Sequence, residues 1–167
     1  MSITLLSLDT SSTITGYSVF ENGTYKTSGI LNWSNWKPVE ERLQLMLIDI
    51  IQHIQKYDPD IVVIEKDVVG SGKRQNTATI NTLVKLIGGV WGYITMINSE
   101  CPMDEPKYFY YEYSPTEWRK LVGIKGKKRE EYKAASIQKI KEEYGIEVDD
   151  NEADAINIGL AYIKQWS

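Results

Sequence analysis

Three carboxylates sit where an α/β chain gathers its reactive groups. Asp9 ends the apolar run Ile3-Thr4-Leu5-Leu6-Ser7-Leu8, and Glu65 ends Ile61-Val62-Val63-Ile64. Asp154 lies early in a small-residue helical stretch, Asp150-Asn151-Glu152-Ala153-Asp154-Ala155-Ile156. Gathering carboxylates costs free energy unless a cation neutralises them. Two strand ends and a helix start therefore point to a divalent-metal site, and with it to phosphoryl or phosphodiester chemistry. Each group alone has a plainer account. Asp9-Thr10-Ser11-Ser12 reads as an Asx turn, Glu65 as a surface residue, and Asp149-Asp150 as a charge pair favoured at a helix N-terminus. Their joint occurrence in this order favours the metal site.

The net charge of −4 argues at first sight against nucleic acid. Its distribution argues the other way. Between Arg119 and Lys141 stand nine basic residues and two acidic ones, a local +7 set against −11 for the remainder. Partner choice follows local potential more than the total. The run opens in a glycine-spaced loop, Gly123-Ile124-Lys125-Gly126-Lys127-Lys128-Arg129, suited to contacting phosphates.

The elements that must position these groups follow from local patterning. The first strand leads into strand-like runs on either side of Glu21-Asn22-Gly23-Thr24, and Asn-Gly is a strong hairpin signal. A three-stranded meander is expected. Leu43, Met46, Leu47, Ile50, Ile51 and Ile54 recur at helical spacing after Pro38, and Asp58-Pro59-Asp60 stops that helix. Ile61 to Ile64 reads as a central strand. A second helix runs from Gln75 to Asn98, with Ile80, Leu83, Val84, Ile87, Trp91 and Ile94 expected on one face. Its Gly88, Gly89 and Gly92 either admit another helix or break this one. Tyr108 to Tyr113 is an aromatic strand. Ser114-Pro115-Thr116-Glu117 is a capping box opening a short helix. Helices to about Tyr144 and from about Asp150 to Trp166 complete the order βββ-α-β-α-β-α-α-α, one domain across residues 1–167. A strand reached through a helix lies parallel to the first, so Asp9 and Glu65 emerge at the same carboxyl edge.

The residues themselves resemble a known family. Leu8-Asp9-Thr10-Ser11-Ser12-Thr13-Ile14-Thr15-Gly16-Tyr17 is similar to the opening of RuvC-type Holliday junction resolvases, of the RNase H-like superfamily. Pro59-Asp60-Ile61-Val62-Val63-Ile64-Glu65 resembles the second acidic motif of that family. Gln75-Asn76-Thr77, Tyr113-Ser114-Pro115 with Trp118-Arg119-Lys120, and Glu152-Ala153-Asp154-Ala155-Ile156 resemble later motifs, in order. The short length and acidic balance resemble bacteriophage versions. The resemblance implies an RNase H-like fold with a mixed five-stranded sheet, a three-stranded antiparallel meander plus parallel strands, flanked by helices.

It also implies an activity. Asp9, Glu65 and Asp154 would hold two Mg²⁺ ions (Mn²⁺ as a substitute) and cut a four-way or other branched DNA, leaving 5′-phosphate and 3′-hydroxyl ends. Asp150 and Asn151 join them as candidate ligands. The family places an acid or histidine three residues before the last aspartate, where this chain has Asn151, so Asp150, Asp149 and Glu152 also compete for the fourth position. Candidate DNA contacts are Ser12, Lys66, Lys73, Arg74, Lys125, Lys127, Lys128 and Arg129, with Lys125, Lys127 or Lys128 assisting the transition state. Val68 stands where the family often carries an aromatic residue that pries at bases. A junction with two-fold symmetry calls for a homodimer, with the helix 75–98 as candidate interface.

One rival belongs to another class. Leu8-Asp9-Thr10-Ser11-Ser12 before a hairpin also resembles actin-like ATPase-fold proteins, including a non-catalytic partner in tRNA threonylcarbamoylation. That reading leaves Glu65 and Asp154 unexplained. The single cysteine, Cys101, excludes an intramolecular disulfide and fits a reducing compartment. With no signal-peptide pattern and no apolar run expected to reach membrane-spanning length, a cytoplasmic protein is expected, in host cytoplasm if phage-encoded.

Overall fold

A computed structural model of the chain describes residues 2–36, 38–66 and 77–166. Among them five strands form one sheet: β1 (Thr4–Thr10), β2 (Ile14–Glu21), β3 (Thr24–Asn32), β4 (Ile61–Glu65) and β5 (Phe109–Tyr113). Their spatial order is β3-β2-β1-β4-β5. The helices are α1 (Val39–Tyr57), α2 (Thr77–Asn98), α3 (Pro115–Val122), α4 (Arg129–Tyr144) and α5 (Asp150–Trp166).

The meander forms because Asn22 and Gly23 take the positive φ values, 51° and 75°, that a tight hairpin needs. β1 then pairs antiparallel with β2 and parallel with β4, and β4 pairs parallel with β5. In the parallel register Leu8 lies opposite Ile64, so Asp9 and Glu65 leave the sheet side by side. Alternation along the strands divides the core. Leu6, Leu8, Val62 and Ile64 face the buried stripe Met46, Ile50 and Ile54 of α1 and Leu86, Val90 and Ile94 of α2. Leu5 and Val63 face the opposite way, into a cluster with Trp118, Ile140, Ile156 and Ile158. Each such aliphatic side chain, fully buried, contributes about 1.5–3 kcal/mol.

By the same alternation Asp9 and Glu65 fall on the second face, where α5 lies. That helix sits unusually close to the sheet. A Cβ on Gly16 would come within 2.1 Å of the Asn151 carbonyl oxygen, and one on Gly159 within 2.4 Å of the Phe20 ring. The buried hydroxyls of Ser7 and Ser18 donate to the Ala155 carbonyl at 2.8 and 3.2 Å, fixing α5 along its axis. Gly16 is also the register partner of Asp9, so the close approach falls beside the first carboxylate.

The second helix departs from expectation in three ways. It runs unbroken from Thr77 to Asn98, so the glycines do not interrupt it. Its buried side is Thr82, Leu86, Val90 and Ile94, whereas Val84 and Trp91, assigned from the sequence to the same stripe as Ile94, are each 54% exposed. Gly89 meets Leu47 of α1, while Gly88 and Gly92 have nothing within 4 Å. Finally, Ile80–Asn98 is long and apolar enough to cross a membrane by length and composition, which corrects the expectation that no such run exists. Its burial against α1 accounts for part of that apolar content; the other part lies open.

Candidate active site

Asp9 from the end of β1, Glu65 from the end of β4, and Asp150 and Asp154 from the start of α5 line one cleft of about 820 Å³. Asn151 lies on the same wall, and Ser11, Ser12 and Thr13 of the β1–β2 turn form its lip. Ser11 shapes that turn: its hydroxyl accepts from the Ile14 amide at 3.0 Å and donates to the Ile14 carbonyl at 2.8 Å. Four acids separated by up to 145 positions are thus brought together by strand register and by the depth to which α5 settles.

Electrostatics record the crowding. Asp9 keeps some surface open to the cleft but is otherwise enclosed by protein. That burial raises its carboxyl well above the ordinary range; Glu65 and Asp154 add to the rise, Arg119 opposes it, and Asp150 adds again. Burial likewise pushes Asp154 up to about 6, against the pull of the Ser136 hydroxyl and of Arg119. Burial and the neighbouring carboxylates penalise the ionised forms of both, a cost that a cation would relieve.

Three of the four carboxylates meet a protein donor. The Trp118 indole N–H donates to Glu65 at 2.5 Å. The Ser136 hydroxyl donates to Asp154 at 2.5 Å and is itself held by Asn157 Nδ2 at 2.9 Å. Lys133 pairs with Asp150. Consistent with these partners, no three His, Cys, Asp or Glu side chains among the described residues already stand in an arrangement that grips a metal ion. The oxygen-rich donor set fits a hard divalent cation such as Mg²⁺. The side chains do not enclose one, so an ion bound there would compete with Trp118, Ser136 and Lys133 for their oxygens.

The cations of the site are only partly those expected. Arg129 lines the cleft. Lys125 lies in an adjoining hollow with Arg119, Lys120 and Tyr132. Lys127 and Lys128 sit at the start of α4 without lining the cleft; the Lys127 amide donates to Glu131, and Lys128 holds the N-cap position with no side-chain cap. Lys66 pairs loosely with Glu117 at 3.8 Å, outside the cleft. Lys73, Arg74 and Val68 lie outside the described residues.

Two cations that the sequence reading did not assign to the site stand in it: Arg119 and Lys133. The Arg119 guanidinium stacks on Trp118 and Tyr132, 4.9 and 4.8 Å from their rings. Its buried Nε has no hydrogen-bond partner among the described residues. One local signal pointed to Lys133, which is one helical turn from Arg129 on the same face of α4. Arg119 carried no such signal, since its direction depends on how α3 meets α4.

No protein-family model matches the chain, and no curated protein does. Solved structures do. Thermus thermophilus RuvC bound to a Holliday junction substrate superimposes with a TM-score of 0.67 at 16% identity, covering 98% of this chain and 95% of that one. This is the fold of the RuvC-type Holliday junction resolvases. The fowlpox virus resolvase in complex with Holliday junction DNA gives 0.60 at 19% identity, covering 98% and 99% of the two chains. The yeast mitochondrial Holliday junction resolvase Ydc2 gives 0.62 at 13%, covering 96% of this chain and 77% of that one. The resolvase fold therefore spans nearly the whole length, as the resemblance in sequence implied.

Proposed function

We propose that this protein is a Mg²⁺-dependent endonuclease that cuts branched DNA, chiefly four-way junctions, leaving 5′-phosphate and 3′-hydroxyl ends. One observation carries the reading: four carboxylates from three distant segments share a cleft with Arg119, Arg129 and Lys133. Asp9, Glu65 and Asp154 would hold the metal, with Asp150 the fourth candidate. Bound divalent ions supply an acidified water and neutralise charge at the phosphate and the leaving oxygen.

The chain's own residues do the positioning. Trp118 holds Glu65 by its indole N–H and offers its ring to Arg119. Arg119, pinned between two aromatic rings, presents a fixed cation to a phosphate at little reorganisation cost. Arg129 on the cleft wall and Lys125 in the adjoining hollow extend positive charge along the strand that enters. The three resolvase neighbours, two of them with junction DNA in their structures, support this substrate class.

A four-way junction needs two cuts, and a second copy of this chain supplies the second. The outward side of α2 fits that role. Val84 and Trp91 are exposed there, and Gly88 and Gly92 leave room for a close helix.

The test is nicking of a synthetic four-way junction with and without Mg²⁺ by the native chain and by Asp9→Asn. Metal-dependent paired nicks by the native chain, and binding without nicking by the variant, are expected. A variant that cuts at the native rate would overturn the site assignment.

A further inference from the structure

The cleft has an aromatic neighbour that the catalytic reading leaves unused. β3 runs antiparallel to β2, and Asn32 pairs with Ile14, so the chain leaves β3 at the sheet edge that carries Asp9. The loop that follows holds Trp33 and Trp36. Trp33 is anchored: its amide donates to the Thr13 carbonyl at 2.8 Å, its indole N–H to Asp49 at 3.0 Å, and its ring packs against the core. Trp36 rests edge-on against Trp33, ring centres 6.3 Å apart, and is 43% exposed.

One guanidinium ties this aromatic pair to the lip of the cleft. Arg42 donates through Nε to the Ser12 carbonyl at 3.0 Å and through Nη1 to the Trp36 carbonyl at 2.8 Å. The Trp36 backbone is thereby tied to the turn beside Asp9, while its indole stays partly exposed.

We infer that Trp36 is a base-stacking site: an unpaired or unstacked nucleobase near the branch point rests on its open face while the carboxylates hold the phosphate. Every base has a π-face, so such a platform grips distorted DNA without reading sequence. Arg42 acts as the positioning residue, holding the platform and the cleft lip together. The inference rests on the nuclease reading and deepens it, because it selects DNA whose bases are already displaced.

The experiment uses the full chain carrying Asp9→Asn, which removes cutting, and four-way junctions with a single 2-aminopurine placed at successive positions from the branch point. The readouts are probe fluorescence and dissociation constant, for that chain and for the same chain carrying Trp36→Ala or Trp36→Phe. Fluorescence should change at one position near the branch point. Trp36→Ala should abolish that change and weaken junction binding about tenfold while binding to unbranched duplex shifts far less; Trp36→Phe should restore most of both. Unchanged fluorescence with affinity within about twofold in Trp36→Ala would overturn the stacking site alone. An Asp9→Asn chain with no preference for junction over duplex would overturn the nuclease reading itself.

Discussion

Replacing Asp154 by asparagine should make the protein more stable while disabling it. The side chain is mostly buried, and its carboxyl is pushed from 3.8 to about 6, first by burial and also by Asp150. A folded value above the unfolded one means that this group's contribution is most favourable below about pH 3.8 and is lost as pH rises through about 6. Above that the native state carries the ionised group at a cost of about 3 kcal/mol. Asparagine keeps an acceptor for the Ser136 hydroxyl and removes the charge. In EDTA at pH 7.5 the variant should therefore gain about 1–3 kcal/mol, a rise in Tm of about 2–12 °C for a chain of this size. At pH 4 most of the gap should close, because Asp154 is then protonated in the folded state and carries little of the cost of ionising there. Millimolar Mg²⁺ should stabilise the native chain and leave the variant nearly unchanged. Thermal and urea unfolding followed by circular dichroism at the two pH values measures all of this. A variant less stable than the native chain at pH 7.5, or a gap independent of pH, would refute the account of Asp154 as an anion held at a cost.

Gly16→Ala should lose about 1–3 kcal/mol and metal-dependent nicking together, since its Cβ would meet the Asn151 carbonyl at 2.1 Å and lift the start of α5; urea midpoints and junction nicking check both. Replacing Lys125, Lys127 and Lys128 by alanine should weaken junction binding and flatten the plot of log affinity against log salt by roughly 2–3. An unchanged slope moves the DNA surface elsewhere. Trp91→Glu, on the open side of α2, should convert a dimer to a monomer in light scattering at micromolar concentration; a native chain that is already monomeric refutes the proposed interface.

Much of the framework was legible in the residues because it is local. The Asn22-Gly23 turn, the capping box at Ser114 and Glu117, and the β-branched run ahead of Glu65 are each decided by neighbours a few positions away. So was the placing of Asp9 and Glu65 at one sheet edge, since a parallel crossover leaves little choice. The working face of α2 was not legible: a helix apolar on several sides does not say which side meets α1, and that is decided by the packing of Leu86, Val90 and Ile94 with α1 and the close approach of Gly89 to Leu47. The same holds for Arg119 and Lys133, whose directions depend on how α3 and α4 lean on α5, and for the donors on Glu65, Asp150 and Asp154. Sequence by itself determined which acids are available and at which ends of which elements. Tertiary packing decided how close they come and what they touch, because the depth of α5 on the sheet, permitted by Gly16 and Gly159, is a contact between segments more than a hundred residues apart.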